Sequence, residues 1–217
     1  VVIDEIQAYS PEIVAVILKG LQMINNLNGK FMVMTATLPR IYKEKLDEMG
    51  IKFEYNEFIK NTIRHKIQLV DNEIEQNIEE IKENAKNKKI LIIVNTINKA
   101  IEMYKKLKDA DVGNKNLLHS RFIQNDRNEK ENKIKEFSKN RNETGVWITT
   151  QLVEASLDID FDMLYTEMST LDSLFQRLGR CYRSRGYCGD MPNVKIYIKN
   201  TSGVGYIYDK EIYIWYI

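Results

Sequence analysis

Short apolar runs, each closed by a polar loop, alternate with helix-patterned stretches along the whole chain. Val1–Ile3, Lys30–Met34, Ile67–Val70, Ile90–Val94, Gly145–Thr149 and Val194–Ile198 read as strands, being rich in β-branched residues and bounded by turn signals. Ile51–Tyr55 is a further possible strand. Ser10–Asn28, Ile41–Met49, Asn72–Lys89, Asn98–Lys108 and Asp126–Phe137 read as helices. Alternation of this kind dictates an α/β class: parallel sheets with helices on both faces, joined by right-handed crossovers. Asn56–Asn61 shows no period and reads as a linker. The expected organisation is therefore 1–60, 61–200 and a start of an extension at 201–217, with Tyr206–Ile217 apolar enough for a strand or helix.

The helical stretches differ in how much they ask to be buried. Between Ser10-Pro11, a cap followed by proline at the first helical position, and Asn28-Gly29, apolar residues Ile13, Val14, Val16, Ile17, Leu18, Leu21 and Ile24 cover much of the circumference. That predicts burial on more than one side. Ile74, Ile78 and Ile81 make a narrow stripe, and Ile101, Tyr104 and Leu107 another, each fit for one face only.

Polar residues are placed most regularly between Thr149 and Arg183. The strand ending in Thr149-Thr150-Gln151 leads into an acidic loop with Asp158, Asp160 and Asp162. Ser169 or Thr170 can cap the next helix, with Asp172 in its first turn against the positive end of the dipole. Leu171, Leu174, Phe175 and Leu178 form one apolar face of that helix, and Gln176, Arg180 and Arg183 lie opposite. Two guanidiniums and an amide projecting together suit an anion. Equally, they suit a solvated face with weak ion pairs of about 0–1 kcal/mol. The neighbouring strand end favours the anion, since open α/β sheets bind ligands beyond the carboxyl ends of their strands.

Other polar clusters stay open between two readings. Asp4-Glu5 at the end of an apolar run fits either a Mg²⁺ site or a strand-to-helix turn. Thr35 and Thr37 flank Ala36 at another strand end, where hydroxyls can reach neighbouring loops or those acids. His119 reads as a packed or turn histidine before a catalyst. Arg121 and Arg127 can hold phosphates or simply be solvated.

Composition closes off several classes. Lys+Arg 32 against Asp+Glu 31 leaves net +1, so no global basic field announces nucleic acid and any such contact must be local. No apolar run approaches the ~18–20 residues of a membrane span, and no signal peptide is visible. Cys181 and Cys188 lack the partners of a zinc site, which leaves reduced thiols and a cytoplasmic setting as the expectation. The chain opens at Val1 inside an apolar run without an initiator Met, as a piece of a longer protein would.

With its motifs placed, the chain resembles a superfamily 2 helicase, and most closely the helicase part of the CRISPR-associated helicase-nuclease of type I systems. Asp4-Glu5-Ile6-Gln7 looks like motif II, and Met34-Thr35-Ala36-Thr37-Leu38-Pro39 like motif III. Ile92-Ile93-Val94-Asn95-Thr96 is similar to motif IV, and Leu118-His119-Ser120-Arg121-Phe122 to the segment that follows it. Motif V resembles Thr149 to Asp160, and Gln176 to Arg183 matches the QRxGRxxR of motif VI. The match spans roughly residues 1–200, in the right order.

That resemblance implies two RecA-like lobes, of which 1–60 is the end of the first and 61–200 the second. It implies ATP and Mg²⁺, with Asp4 on the metal and Glu5 polarising the hydrolytic water. Thr35 and Thr37 would link nucleotide state to lobe movement. Asp158 would meet the ribose, and Gln176, Arg180 and Arg183 the triphosphate, with Arg183 as arginine finger. Asn95, Thr96, Arg121, Thr150 and Gln151 would touch single-stranded DNA. The implied activity is 3′–5′ translocation on DNA delivered by an RNA-guided CRISPR surveillance complex, in antiviral defence. A separate HD nuclease domain and the rest of the first lobe would be partners. Another superfamily 2 translocase of repair or restriction, or a non-catalytic DNA-binding or assembly module, are the alternatives. Departures from the family are also plain: no GxxxxGK[ST], no His-Asp nuclease pair, and Gln7 where His is common. These 217 residues are therefore not expected to hydrolyse ATP alone.

Overall fold

The computed structural model describes residues 1–154 and 157–210. Ala155, Ser156 and the end of the Tyr206–Ile217 stretch lie outside the described residues. The chain divides into two compact units, Val1–Lys60 and the part beginning at Asn61.

In the first unit, β1 (Val2–Asp4) pairs in parallel with β2 (Met32–Met34). Helices α1 (Pro11–Asn26) and α2 (Arg40–Glu48) pack beside them. Ile6, Val14, Leu18, Leu21, Leu46 and Ile51 make the core, with Ile3 and Val33 turned toward it. Three expectations are corrected here. Alternate residues of a strand point to opposite faces, and a two-stranded sheet is covered on one face only, so Val2, Met32 and Met34 are exposed. For the same reason α1 buries Val14, Leu18 and Leu21 but leaves Ile13, Val16 and Met23 in solvent. Ile51–Tyr55 forms no strand; Ile51 is instead a core plug.

The second unit is built on a six-stranded, all-parallel sheet in the order β3-β8-β7-β4-β6-β5. Its strands are β3 (Ile67–Val70), β4 (Lys89–Ile93), β5 (Lys115–Leu118), β6 (Gly145–Thr149), β7 (Met163–Glu167) and β8 (Val194–Tyr197). Every residue of β4, β6 and β7 is buried, as parallel strands covered on both faces must be. One apolar layer packs Leu91, Ile93, Trp147, Phe161 and Leu164 on one side of the sheet. The other packs Ile90, Ile92, Ile148, Tyr165 and Tyr197. This is the RecA-like α/β class that the alternation and the motifs imply.

Flanking elements are α3 (Ile78–Ala85), α4 (Ile97–Asp109), α5 (Gln124–Lys139) and α6 (Leu171–Leu178). Asn72–Lys89 is not one helix: a 3₁₀ turn occupies Ile74–Asn77, and Lys89 belongs to β4. In α4 the buried stripe is Ala100, Met103 and Leu107, one position back from Ile101 and Tyr104, which are half-buried. β7 has no counterpart among the expected strands.

Candidate nucleotide and nucleic-acid site

Motifs II and III meet inside the first unit. The Glu5 amide donates to the Met34 carbonyl at 2.8 Å, which sets the end of β1 against the end of β2. Glu5 then turns into the left-handed region at φ 50, a conformation that non-glycine residues adopt rarely. Its carboxylate accepts from Gln7 Nε2. Thr35 Oγ1 lies 3.3 Å from Glu5 Oε2 and 2.9 Å from the Thr37 carbonyl, and it also contacts Gln7 Oε1. Gln7, where His is common, therefore bridges the two motifs. Asp4 is exposed at the strand end and Glu5 half-buried. One open carboxylate beside a hydrogen-bonded one fits a small divalent ion that keeps water and phosphate ligands.

Motif VI is not a continuous helix. α6 stops at Leu178, so Arg180 and Arg183 leave the helical register that placed them on one face with Gln176. The buried face is Leu174, Arg177 and Leu178, while Leu171 and Phe175 are exposed. Thr170 is the N-cap residue without a side-chain capping bond. Gln176 is half-buried. Arg180 is buried, its Nε 2.8 Å from the Val153 carbonyl and an NH2 nitrogen 2.5 Å from that of Glu154.

Arg183 remains in solvent and pairs with Asp158 at 2.8 Å. The residues assigned to the ribose and to the phosphate are thus brought together. Its backbone N–H also donates to Asp160 at 3.0 Å. Arg185 holds Asp162 at 2.6 Å and lies over the Tyr182 ring at 4.1 Å, which stitches the end of motif VI to the acidic loop. A polar cleft of about 610 Å³ is lined here by Lys89, Thr144, Asp158, Asp162, Arg183 and Arg185. Lys89 opens β4, and Thr144 and Asp162 precede β6 and β7. The cleft that holds Asp158 and Arg183 thus lies at the starts of β4, β6 and β7, not at the carboxyl ends where the strand pattern set a ligand.

The carboxyl ends hold a different assembly. Asn95 is fully buried; its Nδ2 donates to the Met168 carbonyl at 2.9 Å and that of Ser202 at 3.0 Å. Gln151 Nε2 donates to the Asn95 carbonyl at 2.8 Å, and Thr150 is buried. The expectation that the Asn95 and Gln151 side chains reach DNA is corrected: their amide donors are spent on the fold. Thr96 caps α4, accepting from the Lys99 amide at 3.2 Å, and stays half-buried; Arg121 is exposed. His119 is buried and stacks on Phe122 at 4.3 Å, with Lys130 over the same ring at 4.6 Å. Burial first, and the positive Arg121 and Lys130 second, hold its pKa below the ordinary histidine value. Among the described residues its buried Nδ1 has no hydrogen-bond partner, which suits the neutral ring.

Arg177 and Glu167 stand out as polar residues that sequence reasoning missed. Both are charged and almost wholly buried. Glu167 accepts from the Asn95 amide at 2.6 Å and from the Ser202 amide and hydroxyl at 2.8 and 2.7 Å. The available signal was spacing: Arg177 falls three residues after Leu174, on the face that packs.

A family model described as CRISPR-associated nuclease/helicase Cas3, C-terminal, matches residues 86–186. The CRISPR-associated nuclease/helicase Cas3 of Methanothermobacter thermautotrophicus is 37% identical over 231 residues, covering 97% of this chain. The chain is a Cas3-family helicase region. It spans 27% of that relative's own length. The Escherichia coli Cas3 endonuclease/helicase is 38% identical over 143 residues, 58% of this chain and 16% of the relative. Among solved structures, T. fusca Cas3 with ADP superimposes with a TM-score of 0.78 at 19% identity, over 93% of this chain and 30% of that one. Yeast Dbp5 bound to RNA and ADP BeF3 gives 0.61 at 17% identity, over 92% and 53%. These two likenesses establish the fold. Among the described residues no helix is long and apolar enough to cross a membrane.

Proposed function

We propose that the chain is part of an ATP-driven, 3′–5′ single-stranded DNA translocase that serves CRISPR interference. It comprises the end of one RecA-like lobe and a second lobe. Asp4 would hold Mg²⁺, and Glu5 would orient and deprotonate the attacking water. The metal, when bound, supplies charge neutralisation for the phosphates. Arg183, released from Asp158, would lie against the transferred phosphoryl group while Asp158 takes the ribose. Thr35 senses Glu5 directly, so a change at the acid is passed to Thr37. Thr96 and Arg121 would hold the DNA backbone, in contacts that position without reading sequence.

The observation that carries this reading is the Asp158–Arg183 pair at 2.8 Å in one polar cleft, where the carboxylate would take the ribose and the guanidinium the phosphates. An RNA-guided surveillance complex as the source of DNA rests on a relative's structure, which bears the description CRISPR RNA-guided surveillance complex, pre-nicking. Single-strand-stimulated ATP hydrolysis by the full-length protein tests the proposal. Glu5→Gln should lower kcat by about 10²–10⁴ with the protein still folded. Full turnover in that variant would remove Glu5 from the chemistry.

A further inference from the structure

Arg177 is a buried side chain with every donor used. Its guanidinium is 0% exposed. A guanidinium has five N–H donors in a fixed fork, and each finds a different acceptor. Nε donates to Glu154 at 2.7 Å. The NH1 nitrogen donates to Thr166 Oγ1 at 2.9 Å and to the Glu167 carbonyl at 3.0 Å. The NH2 nitrogen donates to Asn95 Oδ1 at 2.9 Å and to the Tyr208 hydroxyl at 2.9 Å.

The last of these partners lies beyond β8. Ser202–Tyr208 folds back onto the carboxyl end of the sheet as a tight loop. Gly203 at φ +85 makes this possible, since a Cβ there would press on Ile207 and Asn95 as well as being strained. The Gly203 carbonyl accepts from the Ile207 and Tyr208 amides at 2.8 and 3.1 Å. Ser202 is tied to Glu167 and Asn95, and Tyr208 OH accepts a second bond from Gln151 Nε2 at 3.3 Å.

We infer that Arg177 and Tyr208 are positioning residues that couple nucleotide turnover to DNA, with Ser202–Tyr208 as the part that closes the linkage. This rests on the function proposed above. Arg177 lies in α6, whose end leads into Arg183, which that function places at the transferred phosphoryl group. Of the partners of Arg177, Asn95 precedes Thr96, which that function places on DNA, and Glu154 lies on the segment that follows β6. A buried network with every donor used shifts as a unit or breaks, because any half-made state strands polar groups away from water. Movement of α6 therefore carries the loops after β4 and β6 with it. Tyr208 is the pivot, since one hydroxyl serves both Arg177 and Gln151.

The test is ATP hydrolysis by full-length Tyr208→Phe with and without a poly-dT oligonucleotide, beside a thermal melt. Hydrolysis without DNA should match the parent, while stimulation by DNA should fall roughly 2- to 30-fold, the span of measured coupling along such networks. Ser202→Ala, which removes one bond to Glu167, should show the same split to a smaller degree and replaces Tyr208→Phe if that variant does not fold. Parental stimulation in a folded variant overturns the inference and leaves the proposed function standing. So does an equal loss with and without DNA, which marks a role in stability alone. If the parent itself shows no stimulation by DNA, the proposed function fails instead.

Discussion

Removing the guanidinium of Arg177 while keeping its stem should be among the most damaging single changes in the second unit. Arg177→Met leaves a side chain of similar length but strands the Glu154 carboxylate, which is only 9% exposed. It also removes the donors serving Asn95, Thr166, Glu167 and Tyr208. Breaking a buried ion pair from one side costs about 3–5 kcal/mol. In a domain of this size each kcal/mol lowers Tm by about 2–4 °C, so the loss should be roughly 6–20 °C. Urea and thermal unfolding of Arg177→Met, Glu154→Gln and the double variant measure it. Neutralising Glu154 removes the stranded charge, so the double variant should be more stable than the two single losses add up to, by about 0.5–3 kcal/mol. A loss under about 0.5 kcal/mol in Arg177→Met, the range of ordinary surface changes, would refute the reasoning.

Two further outcomes follow from the same geometry. His65 and His119 both have pKa values depressed below 6.5, burial being the first cause in each. The unfolded chain then takes up protons more readily, so stability is full above pH 6.5 and falls as pH drops through that value toward the folded pKa. Urea midpoints at pH 7.5 and 5.5 should show this, and His119→Asn should reduce the dependence; an unchanged pH slope contradicts it. Arg121→Ala should weaken binding of single strands of any sequence alike and reduce the salt slope by about 1, while sequence-selective loss would argue against a phosphate contact.

Much of the fold was legible because parallel strands buried on both faces leave continuous apolar runs, as in Ile90–Val94 and Gly145–Thr149. β7 was not, since Met163–Glu167 follows three aspartates and ends in an acid. That acid looks like loop chemistry until Asn95 and Ser202 are seen donating to it. α6 misled for a related reason. A buried arginine and a solvated one read alike in a sequence, and the partners of Arg177 are far along the chain, with Asn95 82 positions away and Tyr208 31. The motif pattern located Arg180 and Arg183 but not the end of the helix between Leu178 and Gly179. Nor could it separate Asn95 and Gln151, spent inside the fold, from Thr96 and Arg121 at its surface. In the first unit the apolar pattern was right and the burial wrong, because a strand's pattern does not say how many neighbours cover it.

The most direct test of the nucleotide assignment is a structure of the full-length protein with Mg²⁺, ADP and aluminium fluoride. The proposed function predicts that Arg183 has left Asp158 and contacts the fluoride that marks the transferred phosphoryl group, with Asp158 on the ribose. Arg183 still paired to Asp158 beside a bound, closed nucleotide would contradict it.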